Sequence, residues 1–177
     1  MDCESLKGIT IPNSITKIKK WAFSRCTSLE KIVIAKQVYQ IERNVFDGCI
    51  SLDNVHVPSN ITKVEQSVFK QCTSLTWVKF DAKIITLPKQ TFMDCSALEC
   101  VDLTGADTIK RMRECCFQNC IHLRTIVLPP YLGFIEDSSF KACMAWTHLN
   151  TQECPFYWQF WLFWVHKPAF THSTWRY

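Results

Sequence analysis

Apolar residues return along this chain at fixed phase. Counted from Cys3, Cys26, Cys49, Cys72, Cys95 and Cys120, a Leu stands at +3, aliphatic or aromatic residues at +6, +8, +12 and +15, and a small residue followed by Phe at +19 and +20. In the copy from Cys95, two extra residues within Thr104 to Thr108 push the later positions back by two, so the 23-residue step becomes 25 only once. A unit this short cannot bury its own apolar face. Six copies in phase therefore predict a solenoid in which each unit rests on its neighbours.

Within a unit, the +6 and +8 pair (Ile9 and Ile11, then Ile32 and Ile34, Val55 and Val57) alternates with outward residues, which predicts a short strand with one face inward. β-branched residues dominate there, as strands prefer. Pro12, Pro58 and Pro129 come directly after these pairs and stop the strand, because proline has no N–H for the ladder. A second extended piece carries Ile15 and Ile18 or their equivalents. The closing small-Phe-x-x-Cys-x-x-Leu run has the three-to-four spacing of a helical turn, too short to be stable except by stacking. One short strand, a second short extended piece and a single helical turn per repeat follow, with Phe23, Phe46, Phe69, Phe92, Phe117 and Phe140 in one column. The insertion, falling between strands, should be a loop.

The phrase Cys-x-Ser-Leu-x-x-Ile-x-Ile-Pro-x-x-Ile-Thr-x-Ile-x-x-x-Ala-Phe, nearly whole over residues 3–23 and repeated to Cys143, resembles the BspA-like leucine-rich repeat family of bacterial and protist surface proteins. The resemblance implies an α/β leucine-rich repeat solenoid, curved like a horseshoe, that binds other macromolecules and does not catalyse. It also implies a place at the cell surface or outside the cell, as in adhesion. One departure concerns a Gly common in that family after the second-strand Ile. Here Lys19, Glu42, Glu65, Pro88, Arg113 and Glu136 take its place, which bears on local backbone geometry.

The organisation read from the chain is a repeat domain over residues 1–143 and a different, aromatic-rich segment over 144–177, where Trp146 replaces the expected Leu and five of the seven Trp fall. Pro155 to Val165 is apolar all round on a helix, half the length needed to span a bilayer, and without a charged face. It reads as a C-terminal cap on the last repeat, as an aromatic insert into a partner or membrane interface, or as sequence from outside the true reading frame. Residues 1–20 hold no apolar leader run, which points to an intracellular protein or a piece of a longer one.

A formal net charge of +4 comes largely from the first 36 residues, while Glu65, Asp81, Glu99, Asp102, Glu136 and Asp137 interrupt any basic track further on, so nucleic acid is not expected as a partner. Seven of the eleven cysteines share one repeat position, which reads as a column of small buried thiols, with Cys116 in a second small slot. Paired CxxC knuckles are missing around Cys115, Cys116 and Cys120, so no zinc site is expected. No phosphate loop, nucleophile motif or converging histidine set is present, and no catalytic residue, cofactor or enzyme activity is expected. Asn60-Ile61-Thr62 is a glycosylation sequon at ordinary turn positions.

Alternation sets the residues that face outward from the first strand series: Gly8 and Thr10, Lys31 and Val33, Asn54 and His56, Trp77 and Lys79, Cys100 and Asp102, Thr125 and Val127. A Trp in the middle of such a face, with Lys31, His56, Lys79 and Asp102 about it, has the make-up of a protein-interface anchor. The chain thus reads as a protein-binding module presenting its strand face, or as a structural segment of a larger surface adhesin with contacts elsewhere.

Overall fold

A computed structural model describes Cys3, residues 5–145 and the backbone of residues 148 and 149. Each repeat contributes two strands. The longer series is β1 (Gly8–Thr10), β3 (Lys31–Val33), β5 (Asn54–Val57), β7 (Trp77–Phe80), β9 (Cys100–Asp102), β11 (Thr125–Val127) and β13 (His148–Leu149). The shorter is β2 (Lys17–Ile18), β4 (Gln40–Ile41), β6 (Lys63–Val64), β8 (Thr86–Leu87), β10 (Arg111–Met112) and β12 (Phe134–Ile135). All pairing is parallel and advances one repeat per strand, as in Val55 to Val78 to Val101 to Ile126. Inward residues such as Val55 and Val78 are buried and their neighbours face out.

Each series is interrupted once. β5-β7-β9-β11-β13 form one ladder and β1-β3 another, while β2-β4-β6 and β8-β10-β12 are separate sheets. The first gap is bridged at its edge by the Asp53 N–H donating to the Glu30 carbonyl at 3.3 Å. β13 pairs with β11 in phase, Thr125 with His148 and Ile126 with Leu149, so the ladder runs one strand past Cys143. The aromatic segment beyond it, including the cap expected there, lies outside the described residues.

The closing turns differ from the expectation: the described residues contain no helix. Phe, Cys and Leu are joined by successive three-residue steps, with Cys49 N–H donating to Phe46 and Leu52 N–H to Cys49. Two residues per repeat, four apart, have positive φ: Trp21 and Arg25, Asn44 and Gly48, Ser67 and Gln71, and so on to Ser138 and Ala142. A left-handed residue at each of these places breaks any helical run, so a chain of tight turns results. Those turns release every second N–H sideways. Asn44, Phe46 and Gly48 donate to the carbonyls of Gln66, Val68 and Lys70 in the next repeat, and Ser67, Phe69 and Gln71 donate to Lys89, Thr91 and Met93. The turn side is thus a third hydrogen-bonded ladder, satisfying backbone groups that the buried turns would otherwise leave unpaired.

Inside that ladder the six Phe rings stack in a single column, centroids 5.1–5.5 Å apart and planes within 15°. Beside them run the cysteines, whose thiols do more than fill space. Cys49, Cys72, Cys95, Cys120 and Cys143 each donate Sγ–H to the carbonyl of the Phe one repeat back, at 3.0–3.2 Å. That carbonyl already accepts a backbone N–H, so the thiol occupies its second lone pair. Burial keeps these protons in place, pushing Cys49 and Cys143 up to about 12 and raising Cys72, Cys95 and Cys120 as well. The ten described cysteines are all free thiols.

The position after the second-strand residue has a use of its own. None of Lys19, Glu42, Glu65, Pro88, Arg113 or Glu136 has positive φ, since the left-handed residues lie two further on. Glu42 and Glu65 instead accept the backbone N–H of Lys20 and Arg43 from the preceding repeat, at 3.0 and 3.1 Å.

Candidate functional site

The longer strand series presents two outward rows. Asn54, Trp77, Cys100 and Thr125 are in register in one, and His56, Lys79, Asp102 and Val127 in the other. Trp77 sits second in the five-stranded ladder, 39% exposed, between Asn54 and Cys100. His56, Lys79 and Asp102 stand on three consecutive strands beside it, as the alternation required. Lys31 is placed differently. It lies on β3, whose ladder partner is β1, across the gap from the sheet that holds Trp77.

Asp81, which follows β7, is the residue the sequence pattern did not bring forward. Its Oδ2 lies 2.8 Å from His56 Nε2 and 4.0 Å from Lys79 Nζ. Its Oδ1 is buried without a hydrogen-bond partner. The reason is the two-residue insertion. Ala106 accepts the Ile109 N–H and is fully buried, taking over the turn role of Ala35, so Thr104 and Gly105 are the extra pair. A Cβ on Gly105 would lie 1.9 Å from Asp81 Oδ1, so only glycine lets the loop close over this carboxylate. Gly105 is thus required for close approach rather than for a left-handed backbone. Lys83 fastens the loop from the neighbouring strand side, reaching the Gly105 carbonyl at 3.0 Å and Asp107 Oδ1 at 2.7 Å.

Asp102 is tied into the same loop. Burial works against its charge, but the Thr104 hydroxyl and N–H donate to Oδ1 at 2.7 and 2.9 Å and hold the carboxyl below its usual range. The result is a rigid polar rim, His56-Asp81-Lys79 and Asp102-Thr104, alongside a half-exposed indole. Such an arrangement suits recognition: an aromatic surface to be covered and oriented donors and acceptors at its border.

Cys116 donates to the Arg113 carbonyl at 2.9 Å and Cys120 to Phe92 at 3.1 Å. Among the described residues no three His, Cys, Asp or Glu side chains gather as a metal site. Asn60 of the sequon donates its Nδ2 to the Val38 carbonyl and to Ala35 at 3.4 Å, which makes its side chain a rung of the turn between strands. A glycan there would break that rung.

The repeat pattern of the BspA type leucine rich repeat region matches residues 1–106 and 99–164, in six copies. The chain belongs to this family. Two solved leucine-rich repeat structures share the fold. A T. pallidum leucine rich repeat protein is 28% identical with a TM-score of 0.74, covering 82% of this chain and 67% of its own. A leucine-rich repeat protein from Eubacterium ventriosum ATCC 27560 is 22% identical with a TM-score of 0.70 over 85% of this chain. The BspA-type chain here spans only 45% of that protein's length. No curated protein matches it.

Proposed function

We propose that this chain is a non-catalytic binding module and that a protein partner covers the face of β5, β7 and β9 around Trp77. One observation carries the reading: a large aromatic ring, 39% exposed, stands on the outward face of the sheet, while Phe80 and Val78 of the same strand are fully buried. His56, Lys79 and Asp102 border it, with Lys31 an outlying contact across the sheet gap. No cofactor and no nucleic acid belong to this reading, and contact of the aromatic tail with a membrane is not part of it. A role at a cell surface rests on family membership alone, and as a piece of a longer adhesin the chain would keep the same strand face.

The test is selection of a displayed peptide library on the wild-type chain with counter-selection on Trp77→Ala. Enriched peptides should lose binding to Trp77→Ala and to Lys79→Ala, and the Trp77→Ala chain should unfold within about 1–2 kcal/mol of wild type. Peptides that bind both chains equally, or a stability loss on the scale of a core aromatic at about 3–5 kcal/mol, would overturn it.

A further inference from the structure

The shorter strand series has its own outer face, basic over its first four strands and acidic beyond them, where Glu114 and Asp137 are exposed. Over β2, β4, β6 and β8 and the residue pairs that follow them, Lys17, Lys19, Lys20, Arg43, Lys63 and Lys89 are all exposed. Glu42 and Glu65 are the acids there, and both are already engaged. Glu42 takes the Lys20 N–H and the Lys19 ammonium at 3.3 Å, and Glu65 takes the Arg43 N–H and Gln40 Nε2. Lys20, Arg43 and Lys89 have no ion-pair partner among the described residues and occupy one row, in repeats one, two and four. The carbonyls of Arg43 and Lys89 accept the Trp21 and Ser67 N–H groups, which keeps the row in register. The longer-strand face, by contrast, mixes Lys31 and Lys79 with Glu30, Asp53, Asp81 and Asp102.

Two aromatic rings belong to the basic face. Tyr39 is 40% exposed, with the Lys17 ammonium 5.3 Å from its ring centre. Trp21 is 50% exposed and has a φ of 65°. The same turn position in the other repeats holds Asn44, Ser67, Gln90, Cys115 and Ser138, smaller or more flexible side chains. The first repeat alone places a bulky, half-exposed indole at this left-handed turn position.

We propose that this second face binds an anionic polysaccharide, with Lys20, Arg43 and Lys89 neutralising its sulfate or carboxylate groups and Trp21 lying against a sugar ring. Within β2-β4-β6 and within β8-β10-β12 the strand backbones are hydrogen-bonded between repeats, so recognition on this face falls to its side chains. A polysaccharide asks only for spaced cations and a flat apolar ring. A nucleobase stacking on Tyr39 would have to displace the Lys17 ammonium from one side of the ring. This face is distinct from the one around Trp77, so either assignment can fail alone.

Heparin, polyglutamate and oligothymidylate are the probes, each titrated onto the full chain at low and at physiological salt. Heparin should bind tightest, with affinity falling as salt rises. Lys20→Glu/Arg43→Glu/Lys89→Glu should weaken heparin at least about tenfold with an unchanged melting temperature. Trp21→Asn should weaken heparin while leaving polyglutamate unaffected and the melting temperature equal or higher, because Asn tolerates positive φ. Trp77→Ala should bind heparin as wild type does. Absence of heparin binding, indifference to the triple reversal, or equal or tighter binding of polyglutamate or oligothymidylate would overturn the proposal, the last two pointing to an acidic protein or a nucleic acid instead.

Discussion

The turn side and the long-strand side of this solenoid are built by opposite rules. On the turn side the same residues recur, Phe on Phe and Cys on Cys, and each of the first five repeats hands three N–H groups to the next. On the strand side the inward positions repeat but the outward ones change at every step: Lys31, Asn54, Trp77, Cys100, Thr125. Sameness from copy to copy serves the stack, because identical shapes superpose with the least strain. Difference from copy to copy has no such use, and it is there that recognition can be written. The two faces proposed for binding both lie among the changing positions.

The largest way to strain this contrast is pH. Six thiols of the turn side, Cys49, Cys72, Cys95, Cys116, Cys120 and Cys143, are raised above the ordinary value of 9.0, chiefly by burial. The unfolded chain gives up these protons first, so their contribution is complete below pH 9 and is lost as pH climbs toward 12. Between pH 9 and 10 each thiol removes about 1 kcal/mol, together about 6 kcal/mol. Denaturant titrations at the two pH values check this, and a Cys72→Ala/Cys95→Ala chain should show a shallower fall.

Next in size is Phe69→Ala, which opens the middle of the aromatic column and should cost about 3–5 kcal/mol by denaturant unfolding. Smaller is Gly105→Ala, confined to the strand side. Its methyl would press on Asp81 and should cost about 1–3 kcal/mol, most of it returned by Asp81→Ala in the same chain. The smallest stability effect belongs to Trp77→Ala, already given for its effect on binding.

Much of this was legible in the sequence, and the reason is repetition. One Phe proves little, but six at one phase require a column, and the strand registers follow from the same count. The turn side was misread because Phe46, Cys49 and Leu52 are spaced alike in a helix and in consecutive tight turns. The deciding signal was backbone handedness four residues apart, which Gly48, Asn44, Asp94 and Asn119 hint at but Trp21 and Arg25 conceal. At the candidate site, alternation placed Trp77, His56, Lys79 and Asp102 on the outward rows of neighbouring strands, where the structure has them. It could not show that a sheet gap sets Lys31 apart, since the repeat spacing is unbroken there. Asp81 escaped because its equivalents are Pro12, Ala35 and Pro58, and its partner Gly105 stood in an insertion with no counterpart to compare.

The measurement that bears most directly on the account is native-state amide hydrogen exchange along the turn side. If the turns form a third ladder, the Phe46, Phe69, Phe92 and Phe117 N–H groups, which donate to Val68, Thr91, Cys116 and Ser139, will exchange only through global unfolding, as slowly as Val55, Val78 and Val101 in the strands. Exchange of those Phe amides at the rate of exposed turns, with the strand amides still protected, would contradict it.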